Sequence, residues 1–296
     1  MTYLHTMTDY KEAFSKHGFL AKEIQGHVPT IRAANADWFA FADKLNDRLQ
    51  IIAIDGSEQI TGAKRGGSQS PETVATMLMW RCLGNYQGMV LMAERGMNAE
   101  AGILARSLLE ACFQLAAMTA DTPEALDLIW FDAAKSRRGL YKFILEMDNV
   151  DPIQRTAIEA KLAELNARID KQLAERAIRL ALDPTGRRLP DTGVKTFADK
   201  GPLNTQYLHY KHLSDEAAHP SLSSMHKHLN IAPDGKSWSN FLIGPNEDGG
   251  IKQTLARASK FMFYVGVAYA EITNIDFVDA SDIGAELEEL NSKLAR

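Results

Sequence analysis

The chain has 296 residues, of which 45% are hydrophobic and 24% are charged, and its formal net charge is −5 at pH 7. This composition is typical of a folded soluble protein and excludes disordered and fibrous chains. The acidic balance does not favour a general nucleic-acid or membrane-surface binder. The 2 cysteines cannot form a disulfide framework. The longest uncharged apolar run, residues 261–270, is too short to span a membrane. The N-terminus has no basic region followed by an apolar block, so it does not resemble a signal peptide. We therefore expect a cytoplasmic protein that does not enter a membrane.

Residues 1–70 are predicted to form an N-terminal helical region followed by a mobile loop. From Pro29 to Ile52, apolar residues recur at steps of three, four or seven, which is the spacing of one helix face. Residues 55–70 are rich in glycine, serine and polar side chains, and this composition predicts the loop.

Residues 71–277 are predicted to form the core of a helical bundle. Ser70-Pro71-Glu72 combines an N-cap, a first-turn proline and a favourable carboxylate, which together indicate a helix start. The next helix, from Ala99 to about Ala120, is apolar on most faces and should be the most buried element. Start signals recur at Thr122-Pro123-Glu124 and at Asp151-Pro152. The second of these begins a charged helix roughly 45 Å long, which is predicted to project as an outrigger or dimer arm.

Two irregular stretches are predicted within this core. Residues 183–204 hold three prolines and three glycines and are predicted to be a linker. Residues 231–250 form the second stretch, in which Trp238–Gly244 is a candidate short strand. A final core helix precedes residues 278–296, which are predicted to form a charged C-terminal helix. The expected fold is all-α, an antiparallel helical bundle with two long irregular insertions.

Arg106 and Glu110 lie four positions apart within the predicted apolar helix. Because burial of either charge alone is expensive, the pair needs partners or a polar cavity. It is either an internal ion pair that fixes helix register or part of a functional pocket. If the two neighbouring helices form a hairpin, Gly88 lies opposite Arg106 and Gly84 opposite Glu110. These glycines indicate either close helix packing or room for a ligand.

Histidines are concentrated near residue 210. His209, His212, Glu216 and His219 fall within about 80° of one another on a helical face. The face is either a solvated polar surface or a metal site, since Glu-x-x-His is a ligand spacing of di-iron bundles. A second such motif and the extra glutamate helices are not found in the sequence, so no cofactor is predicted.

These two segments together resemble a bacterial helical family that is known only as a domain of unknown function. Its members have an Arg-x-x-x-Glu helix followed by a Tyr-x-x-Leu-Ser-x-x-x-x-His-Pro segment. The matching positions here are Arg106, Glu110, Tyr210, Leu213, Ser214, His219 and Pro220. The resemblance covers roughly residues 75–230 and implies a helical fold without a defined activity.

More distantly, the arrangement is similar to the HEPN helical bundles, many of which are metal-independent ribonucleases in toxin and phage-defence systems. Those enzymes use an arginine followed after four to six residues by a histidine, whereas the corresponding window before His219, residues 212–214, contains no arginine. The resemblance implies RNA cleavage, and in this chain Arg106, from the neighbouring helix, would have to supply the missing cation. It also implies a homo-oligomer, because HEPN bundles commonly act as dimers.

The favoured hypothesis is an endoribonuclease. Its predicted catalytic residues are Arg106, Glu110, Ser214 and His219, and the predicted ligand-binding residues are Tyr210, His212, Gly84 and Gly88. The histidine would transfer protons, and the arginine would stabilise the charge of the phosphorane. The alternative is a non-catalytic protein that binds a small anionic ligand or a partner helix in the same internal pocket. A metalloprotein that uses the histidine face is a third possibility.

Overall fold

The computed structural model describes residues 12–63, 67–183, 188–215, 225, 229–232, 234, 236–241, 244–245 and 250–294, and these are predominantly helical. The α-helices are α1 (Ile24–Ala34), α2 (Ala36–Ala63), α3 (Pro71–Ala93), α4 (Asn98–Ala120), α5 (Thr122–Glu146), α6 (Pro152–Arg179), α7 (Val194–Lys200), α8 (Tyr207–Leu213), α9 (Ile251–Thr273) and α10 (Ala280–Leu294). Short 3-10 helices occupy Gly18–Leu20 and Asn204–Gln206. Strands β1 (Leu229–Ile231) and β2 (Trp238–Phe241) pair antiparallel. The structure confirms the all-α prediction, and β2 confirms the candidate strand.

Four long helices, α2, α3, α4 and α9, enclose the main hydrophobic core. Two contacts set the direction of α3 against α9: Tyr86 Oη lies 2.7 Å from Ser259 Oγ, and Thr76 Oγ1 lies 3.2 Å from Tyr269 Oη. The two helices therefore run antiparallel. Among the described residues, α4 is the one helix long and apolar enough to cross a membrane by length and composition, and 67% of its most apolar window is buried within the fold.

The N-terminal region contains a helix break that the apolar spacing did not predict. Pro29 lies inside α1 rather than at its start, and Asn35 separates α1 from α2. The side-chain amide of Asn35 donates to the carbonyl oxygen of Ile31 at 2.9 Å. This side-chain bond to the backbone competes with continuation of the helix, as is common for asparagine.

The loop predicted over residues 55–70 is helical as far as Ala63, because α2 continues through the polar segment. A Cβ atom at Gly56 would lie 2.7 Å from Ile275 Cδ1 and would also clash with Tyr269. The glycine is therefore needed for close approach to the rest of the bundle. Tertiary packing overrides the weak local helix propensity here.

Helices α5 and α6 form an antiparallel hairpin with a small core of its own. That core is built by Phe131, Ala134, Leu165, Ile169 and Leu173. The carboxylate of Asp151 accepts from the backbone nitrogens of the first turn of α6, as the start signal predicted. At the start of α5, the capping side chain is that of Asp121 rather than Thr122. The charged helix α6 is thus paired with α5 along its length and is not a lone outrigger.

The segment predicted as a linker, residues 183–204, contains a packed helix. Phe197 and Ala198 of α7 are buried in the main core. A Cβ atom at Gly201, directly after α7, would lie 2.8 Å from the backbone of Ala116 on α4. Gly201 allows this close approach of the two backbones, so the glycine and proline content that predicted a linker instead belongs to a packed segment. In the same core, α10 buries Ile283, Leu287 and Leu290, so the N-terminal, central and C-terminal regions share one core.

Candidate functional site

The short helix α8 lies between α4 and α9. The ring of Tyr207 is 6.4 Å from that of Phe113 on α4. The ring of His209 makes an edge contact with Phe261 on α9, with a centroid distance of 5.9 Å. Leu213 is buried in the main core. This placement brings the face of α8 that carries Tyr210 against Arg106 of α4.

Arg106 is the centre of a closed hydrogen-bond network. Its Nε donates to Ser214 Oγ at 2.9 Å, and its Nη2 donates to Tyr210 Oη at 2.8 Å. The same Nη2 lies 3.0 Å from Glu110 Oε1, to which Tyr210 also donates at 3.2 Å. Arg106 and Tyr210 are 104 positions apart in the chain, so the fold brings together the two segments that the sequence singled out.

The network lies at the protein surface rather than in an internal pocket. The side chains of Arg106 and Glu110 are 22% and 34% exposed, whereas Ser214 is buried. No described residue accepts a hydrogen bond from Nη1 of Arg106. The site thus offers one guanidinium N–H edge and one carboxylate to a ligand from solution. The described part of the network is thus partly open to solvent beside the exposed Ile103 of α4. The internal pocket that would include His219 stays a prediction, because His219 lies outside the described residues.

The stacked rings of Tyr207 and Tyr210 and a second cation, Lys195, extend the site. Neither the stacked pair nor Lys195 was predicted from the sequence. The guanidinium carbon of Arg106 lies 5.0 Å from the ring centroid of Tyr210. Tyr210 stacks on Tyr207 with centroids 5.5 Å apart, and Lys195 Nζ lies 5.7 Å from the Tyr207 ring. The Tyr-x-x-Tyr spacing is a signal that could have revealed the stacked pair. Lys195 had no such signal, since it belongs to the segment interpreted as a linker.

The two glycines do not line this site. A Cβ atom at Gly88 would meet Leu104 Cδ1 at 3.0 Å, and one at Gly84 would meet nothing within 4 Å. Leu104 and Arg106 are two positions apart, hence about 200° apart around α4. Arg106 therefore points towards α8 while Leu104 points towards α3. The hairpin argument gave the correct position of Gly88 along α4. However, Gly88 lies beside the face of α4 that carries Leu104 and not beside the face that carries Arg106.

The predicted histidine face is only partly described. Burial lowers the pKa of His209, and the charges of Arg257, Lys260 and His212 lower it further. His212 is exposed, and Glu216 and His219 lie outside the described residues. Within the described part of the chain, no group of three potential metal ligands is found. The metal site and the catalytic role of His219 both stay predictions.

A cavity among the described residues lies elsewhere. It has a volume of about 370 Å³ and lies at the junction of α1 and α2, beside Lys252, Leu290 and Lys293. None of its lining residues belongs to the Arg106 network. The network therefore suits a ligand that binds across a surface better than one that is enclosed.

Both segments of the network fall within a match to a known family. The model of DUF5677, a family of unknown function, matches residues 72–237, which is more than half of the chain. Comparisons with curated proteins and with solved structures gave no significant match. The matched range contains Arg106, Glu110, Tyr210 and Ser214. The chain therefore belongs to DUF5677, a family of unknown function.

Proposed function

We propose that this protein is a metal-independent endoribonuclease of the HEPN type in which Arg106 is the catalytic cation. The observation that carries the proposal is the 2.9 Å hydrogen bond between Arg106 Nε and Ser214 Oγ. Ser214 lies five positions before His219, which is where the arginine of an Arg-x₄-His motif would lie. Arg106 of α4 therefore holds a guanidinium beside position 214, where an Arg-x₄-His motif would have its arginine.

The sequence spacing supports the pairing of Arg106 with His219. His219 follows Ser214 by five positions, and Ser214 accepts the hydrogen bond from Arg106 Nε. An RNA phosphodiester and its ribose can bridge a guanidinium and an imidazole over several ångströms. His219 is therefore the histidine that we assign to proton transfer.

The proposed reaction is an internal transesterification. His219 removes the proton of the 2′-hydroxyl, O2′ forms a bond to phosphorus, and the bond from phosphorus to O5′ breaks. A water molecule donates a proton to O5′, and the hydroxide that forms takes the proton from His219, so the products end in a 2′,3′-cyclic phosphate and a 5′-hydroxyl. Nη1 of Arg106 donates to a non-bridging oxygen as negative charge builds on it. Tyr210, Ser214 and Glu110 hold the guanidinium in place.

The rings and the second cation beside Arg106 support RNA as the substrate. Proteins that bind single-stranded nucleic acid combine cations for the phosphates with aromatic faces for the bases. Tyr207 and Tyr210 supply stacked aromatic faces beside the guanidinium. Lys195 Nζ, which also pairs with the carboxylate of Asp199, lies 5.7 Å from the Tyr207 ring. The acidic net charge of the whole chain does not oppose this, since a local group of cations is sufficient for phosphate contact.

The test is an RNA cleavage assay in the presence of EDTA. We expect the wild type to cleave bulk tRNA or a single-stranded oligonucleotide and to leave 2′,3′-cyclic phosphate ends. Arg106→Ala and His219→Ala should each reduce the rate at least ~100-fold, the usual loss for a catalytic cation or proton-transfer group. Arg137→Ala removes an exposed arginine of α5 and is the matched control. Unchanged cleavage in both site variants, or no cleavage by the wild type, would contradict the proposal.

Glu110 favours a second candidate function, non-catalytic ligand binding. Its carboxylate lies 3.0 Å from the guanidinium and offsets part of its charge. A site with a donor edge and a carboxylate suits a small ligand that carries both an anionic group and a hydrogen-bond donor. In that case the wild type would not cleave RNA, but phosphorylated small molecules would raise its melting temperature, and Arg106→Ala would abolish the shift.

A further inference from the structure

One face of α3 carries large apolar side chains that the described structure leaves uncovered. Met77, Trp80 and Leu91 are 55%, 38% and 48% exposed. Next to them on α2, Ile51 and Ile54 are 50% and 41% exposed. Contiguous apolar patches of this kind on soluble proteins commonly mark interaction surfaces. We call these five residues, together with the glycines between them on α3, the α3 face.

The α2 residues are held in register with α3 by side-chain hydrogen bonds. Trp80 Nε1 donates to Ser57 Oγ at 2.9 Å, and Gln87 Nε2 donates to Gln50 Oε1 at 3.1 Å. These bonds place Ile54, which lies between Gln50 and Ser57, at the level of the middle of α3. The α3 face is therefore a preformed surface of two helices and needs no rearrangement to bind a partner.

Gly84 occupies the centre of the face, and no contact with another described residue explains why it is a glycine. A Cβ atom at Gly84 would meet nothing within 4 Å, and one at Gly88 would meet only the flexible end of Leu104. Glycine inside a helix costs about 0.5–1 kcal/mol relative to alanine. The isolated fold therefore gains nothing from glycine at position 84, whereas a backbone that approaches from outside would use the space.

We propose that the α3 face binds a second copy of this chain, with the two α3 helices antiparallel about a two-fold axis at Gly84. In such a contact, residues at equal distances on either side of Gly84 face each other. Trp80 lies four positions before Gly84 and faces Gly88, four positions after it. Met77 and Leu91, seven positions away on either side, face each other in the same way. Trp80, the largest side chain of the face, therefore packs against Gly88 of the other copy, and the apolar side chains of Met77 and Leu91 pack against each other.

Charge is also compatible with this arrangement. The positions that form the contact, 77, 80, 84, 88 and 91, carry no charged side chain. At the edge of the contact, Arg81 faces Gln87 of the other copy, so like charges are not opposed. A partner of the same sequence therefore fits the α3 part of the face without an unpaired buried charge. On α2, the exposed carboxylates of Asp47 and Glu58 lie one turn from Ile51 and Ile54, so they have to stay in contact with water at the rim.

The exposed apolar area is sufficient for a dimer. With about 150–250 Å² for a fully exposed large side chain, the five residues expose roughly 400 Å² per copy. Two copies and a polar rim then bury on the order of 1,000 Å² or more, which is the lower range of specific interfaces. Since Arg106 points to the opposite side of α4, towards α8, the dimer leaves the Arg106 network open.

A second apolar patch provides the matched control. Leu140 and Phe143 of α5 and Met147, directly after α5, are also exposed, but Arg137, Lys142 and Glu146 alternate with them along the chain. This patch lies on the α5–α6 hairpin and shares no residue with the α3 face. Substitution at Phe143 therefore tests for a general effect of removing exposed apolar area.

The first measurement is the molar mass in solution over about 1–100 µM by light scattering coupled to size-exclusion chromatography. We expect a wild-type dimer, a dissociation constant raised at least ~30-fold in Trp80→Glu, as for a central tryptophan of an interface, and no change in Phe143→Glu. Circular dichroism verifies that both variants fold. A wild-type monomer at 100 µM would overturn the proposal, as would a dimer that only Phe143→Glu dissociates. A monomer that sediments with phosphatidylserine-containing vesicles would assign the face to lipid and would equally overturn it.

Cysteine cross-linking tests the axis itself. Gly84→Cys should form a disulfide between two copies under mild oxidation, because position 84 lies on the axis. Trp80→Cys alone should not cross-link, but a mixture of Trp80→Cys and Gly88→Cys should, because these positions face each other. The native cysteines, Cys82 and Cys112, are buried and do not compete. A dimer that fails to give the mixed cross-link has another interface, and the proposal is then wrong.

Discussion

Replacement of Glu124 by glutamine should destabilise the protein, because it weakens the contacts of α6 and α7 with the start of α5. The Glu124 side chain is 2% exposed, and Arg176 donates to both of its oxygens at 2.7 and 3.1 Å. Arg179 donates to it at 3.1 Å, and Lys200 Nζ lies 3.4 Å away. Removing one partner of a buried ion pair costs about 3–5 kcal/mol. The side chains of Arg176, Arg179 and Lys200 are 15%, 32% and 36% exposed, so water can solvate them after the substitution. We therefore expect Glu124→Gln to lower the free energy of unfolding by about 2–3 kcal/mol.

The pH dependence of this loss is a second prediction from the same group. Burial raises the pKa of the Glu124 carboxyl, but the hydrogen bonds and charges of Arg176, Lys200 and Arg179 outweigh burial and hold the pKa below its ordinary value. The stabilisation is therefore complete above the pKa of the unfolded chain, about 4.3, and is lost as the pH falls through the lower pKa of the folded protein. The stability difference between wild type and Glu124→Gln should shrink on acidification.

Urea unfolding followed by circular dichroism measures both effects. Glu164→Gln, at an exposed site on α6, is the control and should stay within about 0.5 kcal/mol of the wild type. If Glu124→Gln were equally stable at pH 7, or if the difference were unchanged at pH 3, the carboxylate would not hold the three cations as described.

Three further predictions concern packing, the network and a histidine. Gly56→Ala should lower the free energy of unfolding by about 1–3 kcal/mol through overpacking against Ile275, whereas Gly139→Ala, where nothing lies within 4 Å, should raise it by about 0.5–1 kcal/mol; urea unfolding distinguishes them. Tyr210→Phe should cost about 0.5–1.5 kcal/mol, since it removes one hydroxyl that accepts from Arg106 and donates to Glu110; a loss below 0.2 kcal/mol would show that the bonds do not persist in solution. Lys260→Gln should raise the pKa of His209 in an NMR titration, because one of the charges that lower it is removed; an unchanged pKa would contradict the proximity of Lys260.

The sequence predicted the helices best where side chains and backbone act locally. Ser70 and Asp151 cap their helices as expected, because the cap residue and the following proline define the start within one turn. The segments around Gly56 and Gly201 were misinterpreted for the opposite reason. There glycine permits contact with residues distant in the chain, Tyr269 and Ala116, and this use cannot be distinguished from a loop by local composition.

The candidate site was predicted in part, from an energetic argument. An arginine within an apolar helix requires partners, and the motif match suggested that they lie in the segment after residue 205. Ser214 and Tyr210 are those partners. Exposure of the site could not be predicted, since it depends on which face of α4 other helices leave uncovered. Lys195 could not be assigned either, because its contact with Tyr207 depends on how α7 and α8 pack.

The number of partners of Arg106 favours a functional role over a structural one. Glu110, four positions away on the same helix, would alone satisfy an arginine at a partly exposed site, and such pairs contribute only about 0.2–0.5 kcal/mol. Here Ser214 and Tyr210 add two bonds from a second segment and fix the guanidinium plane, yet they leave Nη1 directed to neither. These partners fix the orientation of the guanidinium at one edge, and among the described residues Nη1 at the other edge has no acceptor. A group that must present a donor to a phosphate at a defined angle needs both, and this requirement connects the geometry of α8 to the proposed chemistry.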